Sequence, residues 1–269
     1  MAVLTTPLRP RAGLRPALSV LEYDLVGYKR TWRGSVLSSF VLPVLFVIGF
    51  GVSVGHFVDA GGKLGQVSYL DFIVPGMLAS NALQLGFGES TYQLLSRFNW
   101  VRTYHAMVAT PLRVGDLLAG DLMFLAFRLV STSTVFLVIT ALFGGVHSWW
   151  AVTVPFLCAL IGLAFAVPIM AYSASVENDG FFALLQRFLV IPMSLFAGVF
   201  FPVSQLPVGV RWLAYVSPLW HGVQVCRAAT LPQFHLSWLA ILGHLAYLAA
   251  WATVGFLIAA RKYRRRLVL

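Results

Sequence analysis

Long uncharged runs separated by short polar breaks dominate this chain. Residues 36–55 contain no Asp, Glu, Lys or Arg, and twenty residues rising about 1.5 Å each cross a hydrocarbon layer of about 30 Å. Residues 72–88 are a second uncharged run, which Glu89 and the turns after it extend toward Arg97. Residues 129–176 are a third. As one helix that run would be about 72 Å long, more than twice the layer, so it must fold back on itself. The sequence Gly144-Gly145-Val146-His147-Ser148-Trp149-Trp150 is the evident turn. The expected spans are 36–55, 72–88 with its extension, 117–143, 151–174, 181–201 and 239–260. The pattern predicts an all-α integral membrane protein with six transmembrane helices.

Three segments follow a different pattern. Near the start, Leu18, Leu21, Leu25, Tyr28 and Trp32 recur at spacings of three and four, with Glu22, Lys29, Arg30 and Arg33 on other faces. That is an amphipathic helix expected to lie along the membrane interface, either as an anchor or as a lever moved by a cytoplasmic partner. Between the second and third spans, Thr110-Pro111-Leu112-Arg113 leads to Asp116. Threonine before proline reads as a helix start, giving a short surface helix that is either a connector or a docking point. After the fifth span, Phe200-Phe201-Pro202, Leu206-Pro207 and Ser217-Pro218-Leu219-Trp220-His221 run on to Arg227. This stretch is too broken for a span and too apolar for a solvated loop. Short re-entrant helices in the outer leaflet, serving as a gate or a cap, satisfy both facts.

Composition narrows the class. Of 269 residues, 59% are hydrophobic and 10% charged, with a mean hydropathy of +0.83. No soluble globule of this size has enough interior for that, and a disordered chain lacks such apolar surface. The net charge of +10 would suit nucleic acid, but its distribution points elsewhere. Arg9, Arg11, Arg15, Lys29, Arg30 and Arg33 precede the first span, and Arg261, Lys262, Arg264, Arg265 and Arg266 follow the last. Arg97, Arg102 and Arg113 fall between spans two and three, whereas the opposite loops hold Lys63, Arg211 and Arg227. The positive-inside rule then makes both termini cytoplasmic. Trp149, Trp150, Trp212, Trp220 and Trp238 fall at the expected outer interface, with Trp32 and Trp100 at the inner one. The early arginines are not followed by a short apolar core and cleavage site, so a removed signal peptide is not expected.

Motifs for chemistry are sparse. Gly61-Gly62-Lys63-Leu64 lacks the first glycine and the hydroxyl of a phosphate-binding loop, and there is no H-E-x-x-H. The six histidines are scattered, and Cys158 and Cys226 give no disulfide or metal framework. Glu177-Asn178-Asp179-Gly180 has too few ligands for a calcium loop and reads as a solvated hairpin. No catalytic or metal site is expected. The informative polar residues lie within the spans or at their inner edge: Glu89, Arg97, Asp121 and Arg128. A charge facing lipid costs about 2.5 kcal/mol or more, so such groups turn inward and pair. Glu89 and Arg128 are expected at similar depth on adjacent antiparallel helices, as a static ion pair or as a polar point in a substrate path. From the residues alone, an intramembrane lipid-modifying enzyme and a proton-coupled carrier using Glu89 remain alternatives to an ATP-driven transporter.

Taken in order, Pro75-Gly76, Glu89 with Arg97, Thr110 through Asp116 with Gly120, the Phe196–Pro202 run with Leu206-Pro207, and Pro218-Leu219 through Arg227 form a recognisable set. The set resembles the permease subunits of bacterial ABC type-2 exporters, particularly NodJ-like nodulation-factor exporters and daunorubicin-resistance permeases. The resemblance implies a cytoplasmic segment over 1–34, a six-span domain over 35–260 and a basic cytoplasmic tail over 261–269. It implies a half-transporter of the bacterial plasma membrane, paired with a second permease copy and docked on a separate ATPase that holds ATP and Mg2+. The substrate would be amphipathic, lipid-linked or drug-like. Thr110, Pro111, Leu112, Arg113 and Asp116 would meet the ATPase beside Leu21, Leu25, Tyr28 and Trp32. Phe200, Phe201, Pro202, Pro218 and His221 would form the outer gate.

Overall fold

An apolar segment away from water must satisfy its own backbone, and a helix does so within one stretch of chain. The computed structural model describes residues 14–46, 48–49 and 68–268, and these form helices and turns with no strand among them. In order they are α1 (Leu14–Phe46), α2 (Tyr69–Gly88), α3 (Thr103–Val108), α4 (Val114–Leu142), α5 (Val154–Ser173), α6 (Gly180–Leu185), α7 (Ile191–Phe196), α8 (Val208–Val216), α9 (Pro218–Thr230) and α10 (Trp238–Val268). Wide π turns at Glu89–Gln93 and Ser96–Trp100 carry α2 onward, and another at Gln186–Val190 joins α6 to α7. By length and composition, α4, Trp149–Ser173 and α10 can each cross a membrane, and Gly180–Phe196 is a shorter apolar helix.

The bundle is built around α5, which packs against α2, α4, α9 and α10 and is the most buried of the long helices. Small residues let the backbones approach, as in membrane helix packing generally. A methyl group on Gly86 of α2 would lie 2.7 Å from the Gly162 carbonyl of α5. On the other flank, α1 lies along the first turns of α4. Ala17, Val20 and Asp24 are buried there, and a methyl group on Gly120 would sit 2.5 Å from the Val20 Cβ. Tyr28 continues the seam, edge-on to Phe124 and Phe127 at 6.1 Å. The first turns of α4 and the last turns of α10 meet at one end of the bundle, where Tyr104 of α3 touches both Asp121 and Tyr263.

Several boundaries differ from expectation. The expected interfacial helix and residues 36–46 of the expected first span form one unbroken 33-residue helix, α1. Gly34-Ser35 contains no proline, and a glycine costs a helix only about 1 kcal/mol. Residues 50–55 of that span lie outside the described residues, as do Arg9, Arg11, His56 and Lys63. The packed face of α1 is rotated from the apolar stripe. Leu21, Leu25 and Tyr28 are half-buried, but Leu18 and Trp32 are exposed, at 47% and 46%. The apolar helix at the expected fifth span ends at Phe196 rather than residue 201, because the chain bends at Gly198, whose φ of +82° only glycine adopts readily. The last helix does not stop at residue 260 but runs on to Val268. Lysine and arginine are good helix formers, and their charge suits a helix C-terminus.

Gly120→Val is expected to push α1 from α4 and to cost about 1–3 kcal/mol by overpacking. Gly115→Val, where nothing lies within 4 Å, should cost little beyond helix propensity. Thermal unfolding in detergent compares them, and equal losses would refute the close seam.

Candidate functional site

The buried charges gather where α1, α3, α4 and the π turns after α2 meet. Arg97 donates from Nη2 to Asp24 Oδ1 (2.7 Å) and from Nη1 to both Asp24 Oδ2 (3.1 Å) and Asp121 Oδ1 (2.9 Å). A planar fork is what lets one side chain bridge two carboxylates on two helices. The Tyr104 hydroxyl donates to Asp121 Oδ2 at 2.6 Å. Burial above all, and then the Asp121 carboxylate, hold the Tyr104 phenol well above the usual tyrosine range, so it remains a donor. Its ring packs edge-on to Phe98, which packs edge-on to Tyr263 of α10. Two turns away, Arg128 donates to Glu89 and lies over the Tyr28 ring at 5.5 Å. A small cavity lined by Glu89, Arg97 and Asp121 connects the two groups.

The π turns explain how both bridges form. Asp121 and Arg128 are seven residues apart on α4, nearly two whole turns, so they share a face. Glu89 and Arg97 are eight apart. In a plain α-helix those eight residues would leave Arg97 about 80° off the seam. The π turns absorb the extra residue, so Glu89 meets Arg128 while Arg97 meets Asp121 on the antiparallel neighbour. Bulges of this kind cluster at functional sites. Arg187, a conceivable alternative partner for Glu89, is exposed and forms no ion pair among the described residues.

The connector preceding α4 is arranged differently from expectation. Thr110 does not cap a following helix; its hydroxyl donates to the Met107 carbonyl at 2.6 Å and closes α3. Ala109, Thr110 and Pro111 form a turn, and α4 starts at Val114, with the Arg113 amide donating to Asp116 Oδ2 at 2.8 Å. The short helix therefore lies at Thr103–Val108, before the proline. Thr110, Pro111 and Arg113 are exposed on this turn, one short helix away from the Arg97 cluster.

At the other end of α2 a second arginine is buried. Arg227 of α9 donates to the Gly198 carbonyl at 2.5 Å and lies 3.8 Å from the Phe72 ring centre. It forms no ion pair among the described residues. The Tyr69 hydroxyl donates to the Phe200 carbonyl at 3.5 Å, so the 197–202 bend is tied to both α2 and α9. Phe201 packs with Val203, Leu206 and Ala214 under α8, and Pro218 opens α9, with the Ser217 hydroxyl accepting from the Leu219 amide. His221 faces away from this bend. It contacts His244 of α10 at 2.7 Å and the Tyr215 carbonyl at 3.0 Å, and it stacks on Tyr247. Of the residues assigned to the outer gate, Phe200 meets Tyr69, Phe201 packs under α8 and His221 contacts α10, so they are not gathered at one point.

Asp24, Tyr104 and Tyr263 were not singled out in the sequence, although Asp24 carried a signal. It follows Ala17 and Val20 at helical spacing, so it sits on an apolar face. Glu89→Gln and Arg128→Gln should each cost about 3 kcal/mol or more by stranding a buried charge. The double substitution should recover a large part, as read by thermal unfolding; strictly additive losses would mean the pair is not coupled. Arg97→Lys keeps the charge but loses the fork, so it should destabilise nearly as much as Arg97→Gln; full rescue by lysine would show that charge alone suffices.

Comparison with known proteins bears on what this bundle is for. Residues 18–231 match the family described as ABC-2 type transporter. The chain is 30% identical over its full length, and that of its relative, to Nodulation protein J of Rhizobium leguminosarum bv. viciae. It is 29% identical to Nodulation protein J of Rhizobium meliloti, covering 93% of this chain and 94% of the relative. A more distant relative is the inner membrane transport permease YadH of Escherichia coli, 20% identical over 75% of this chain and 77% of the relative. The match runs through α1, both buried arginine clusters and the α8–α9 segment, and the chain belongs to the ABC-2 type transporter family.

Proposed function

We propose that this chain is the six-span membrane subunit of an ATP-binding cassette exporter in a bacterial plasma membrane. Both termini are cytoplasmic in this reading, and two permease copies dock on a separate ATPase that holds ATP and Mg2+. The observation that carries the reading is the family match from residue 18 to residue 231. It is supported by the sequence, which has no phosphate-binding loop of the G-x-x-x-x-G-K-[ST] form. In this reading the substrate is amphipathic, lipid-linked or drug-like, the class implied by the resemblance to type-2 exporter permeases.

The geometry supplies a mechanical route for such a machine. The exposed Thr110–Arg113 turn is the surface offered to the ATPase, with Asp116 fixing the turn to the start of α4. Behind it, Tyr104 and Arg97 link α3 to α1 and α4 by hydrogen bonds. A push on the turn therefore reaches the helices through groups whose bonds are costly to break, rather than through loose side chains. At the far end of α2, the bend held by Arg227 is the element that would open.

The purified chain in lipid nanodiscs should hydrolyse no ATP by itself and should stimulate or restrain hydrolysis when its ATPase is added. Robust hydrolysis by the chain alone would sink the proposal. Arg113→Glu should weaken ATPase assembly without harming membrane insertion, because it reverses charge only at the exposed turn. Cross-linking that places residues 110–116 far from the ATPase would count against that surface.

A further inference from the structure

A cavity of about 780 Å³ lies between the α2–α3 connector, the α5–α6 loop and the last turns of α10. Its lining includes Arg102, His105, Lys262, Arg265 and Arg266, against a single carboxylate, Glu177. None of the four Arg and Lys side chains forms an ion pair among the described residues. Arg97 and Arg128 of the candidate site pair with carboxylates, whereas this cavity gathers four Arg and Lys side chains against one carboxylate.

The walls are built rather than incidental. Arg266 donates to the Ser173 carbonyl (2.9 Å) and to Asn99 Oδ1 (2.6 Å), and its guanidinium lies over the Phe98 ring at 4.7 Å. Asn99 in turn donates to the Glu177 carbonyl at 2.6 Å, fastening the α5–α6 loop to the connector. Arg102 is the one non-glycine residue with positive φ among the described residues (φ 56°, ψ 29°). Such a conformation is unfavourable for a residue with a Cβ and persists where the surroundings impose it, often at ligand sites. Beside it, Trp100 and Val101 are exposed at 60% and 69%, and an exposed tryptophan at the end of a membrane helix marks the headgroup level.

The geometry points to this cavity as a binding site for the phosphodiester headgroup of an anionic phospholipid. Convergent cations in excess over a single carboxylate, with exposed Trp100 and Val101 beside them at headgroup depth, are the features such a ligand requires. The inference rests on the chain's membrane placement and not on the transport cycle, so its readout is independent of ATP hydrolysis.

The test is lipid retention by the full-length protein in detergent, read by native mass spectrometry with added phosphatidylglycerol or phosphatidylcholine. Wild type should retain phosphatidylglycerol preferentially. Arg102→Gln/Lys262→Gln/Arg265→Gln should reduce that retention roughly tenfold or more, since each cation near a membrane surface contributes about fivefold. A charge-matched control, Arg30→Gln/Arg261→Gln/Arg264→Gln, alters exposed positions outside the cavity and should retain the lipid. If the triple variant does not fold, Lys262→Glu at a half-buried position should give a smaller loss in the same direction. An equal loss in the control would reduce the effect to diffuse surface charge and overturn the site. Displacement of the lipid by millimolar inorganic phosphate or glycerol 3-phosphate would reassign it to a soluble phosphate. Unchanged lipid retention with lost ATPase co-purification would make the cavity a protein contact instead.

Discussion

A guanidinium held among apolar helices must have its charge and its donor hydrogens answered by the protein, because neither lipid nor packed hydrocarbon can do so. Arg97 meets this condition with two carboxylates from different helices, and the surrounding packing follows from that choice. Asp24 fixes the rotation of α1, and Asp121 fixes that of α4. Gly120 is then required because the two helices are drawn too close for a side chain between them. Tyr104, by answering the remaining oxygen of Asp121, brings α3 to the same point.

Much of this was legible in the uncharged runs. The turn at Gly144–Trp150, the extents of α4 and α5 and the two short helices after the fifth apolar stretch follow from length and breakers alone. The juxtaposition of Glu89 with Arg128 follows from the cost of an unpaired charge. What the sequence concealed has specific physical causes. The apolar stripe of α1 runs through its largest side chains, but close helix packing selects small ones, so Ala17 and Val20 rather than Leu18 and Trp32 face α4. Thr110-Pro111 carries the same letters whether it opens a helix or closes one, and the Asp116 side chain settles which by capping three residues downstream. Arg227 reads as a loop cation because its partners are carbonyls, which no residue type announces.

Arg97 lies at one end of a helical rod, and Arg227 of α9 packs against the other. Between Phe72 and Arg97 the chain rises roughly 38 Å, close to the depth of a bilayer with part of its headgroup layers. At one end the rod is held by carboxylates, which bind tightly and break as a unit. At the other, a guanidinium holds a bend through the Gly198 carbonyl, a neutral partner whose release costs less. The stiff end adjoins the exposed connector, and the softer end adjoins the glycine-hinged bend. Movement introduced at the connector would therefore be conserved along the rod and expressed at the bend.

The π turns after Gly88 also constrain how this sequence can change. Each residue of an α-helix turns the chain by about 100°, and the eight-residue step from Glu89 to Arg97 fits the seven-residue step on α4 only because a turn is widened. Deleting one residue between them would return the segment to regular helix geometry, and that shorter form would keep both bridges. An insertion there would demand a second widening or carry Arg97 off the seam. The segment is thus asymmetric toward length change: it tolerates becoming shorter and resists becoming longer.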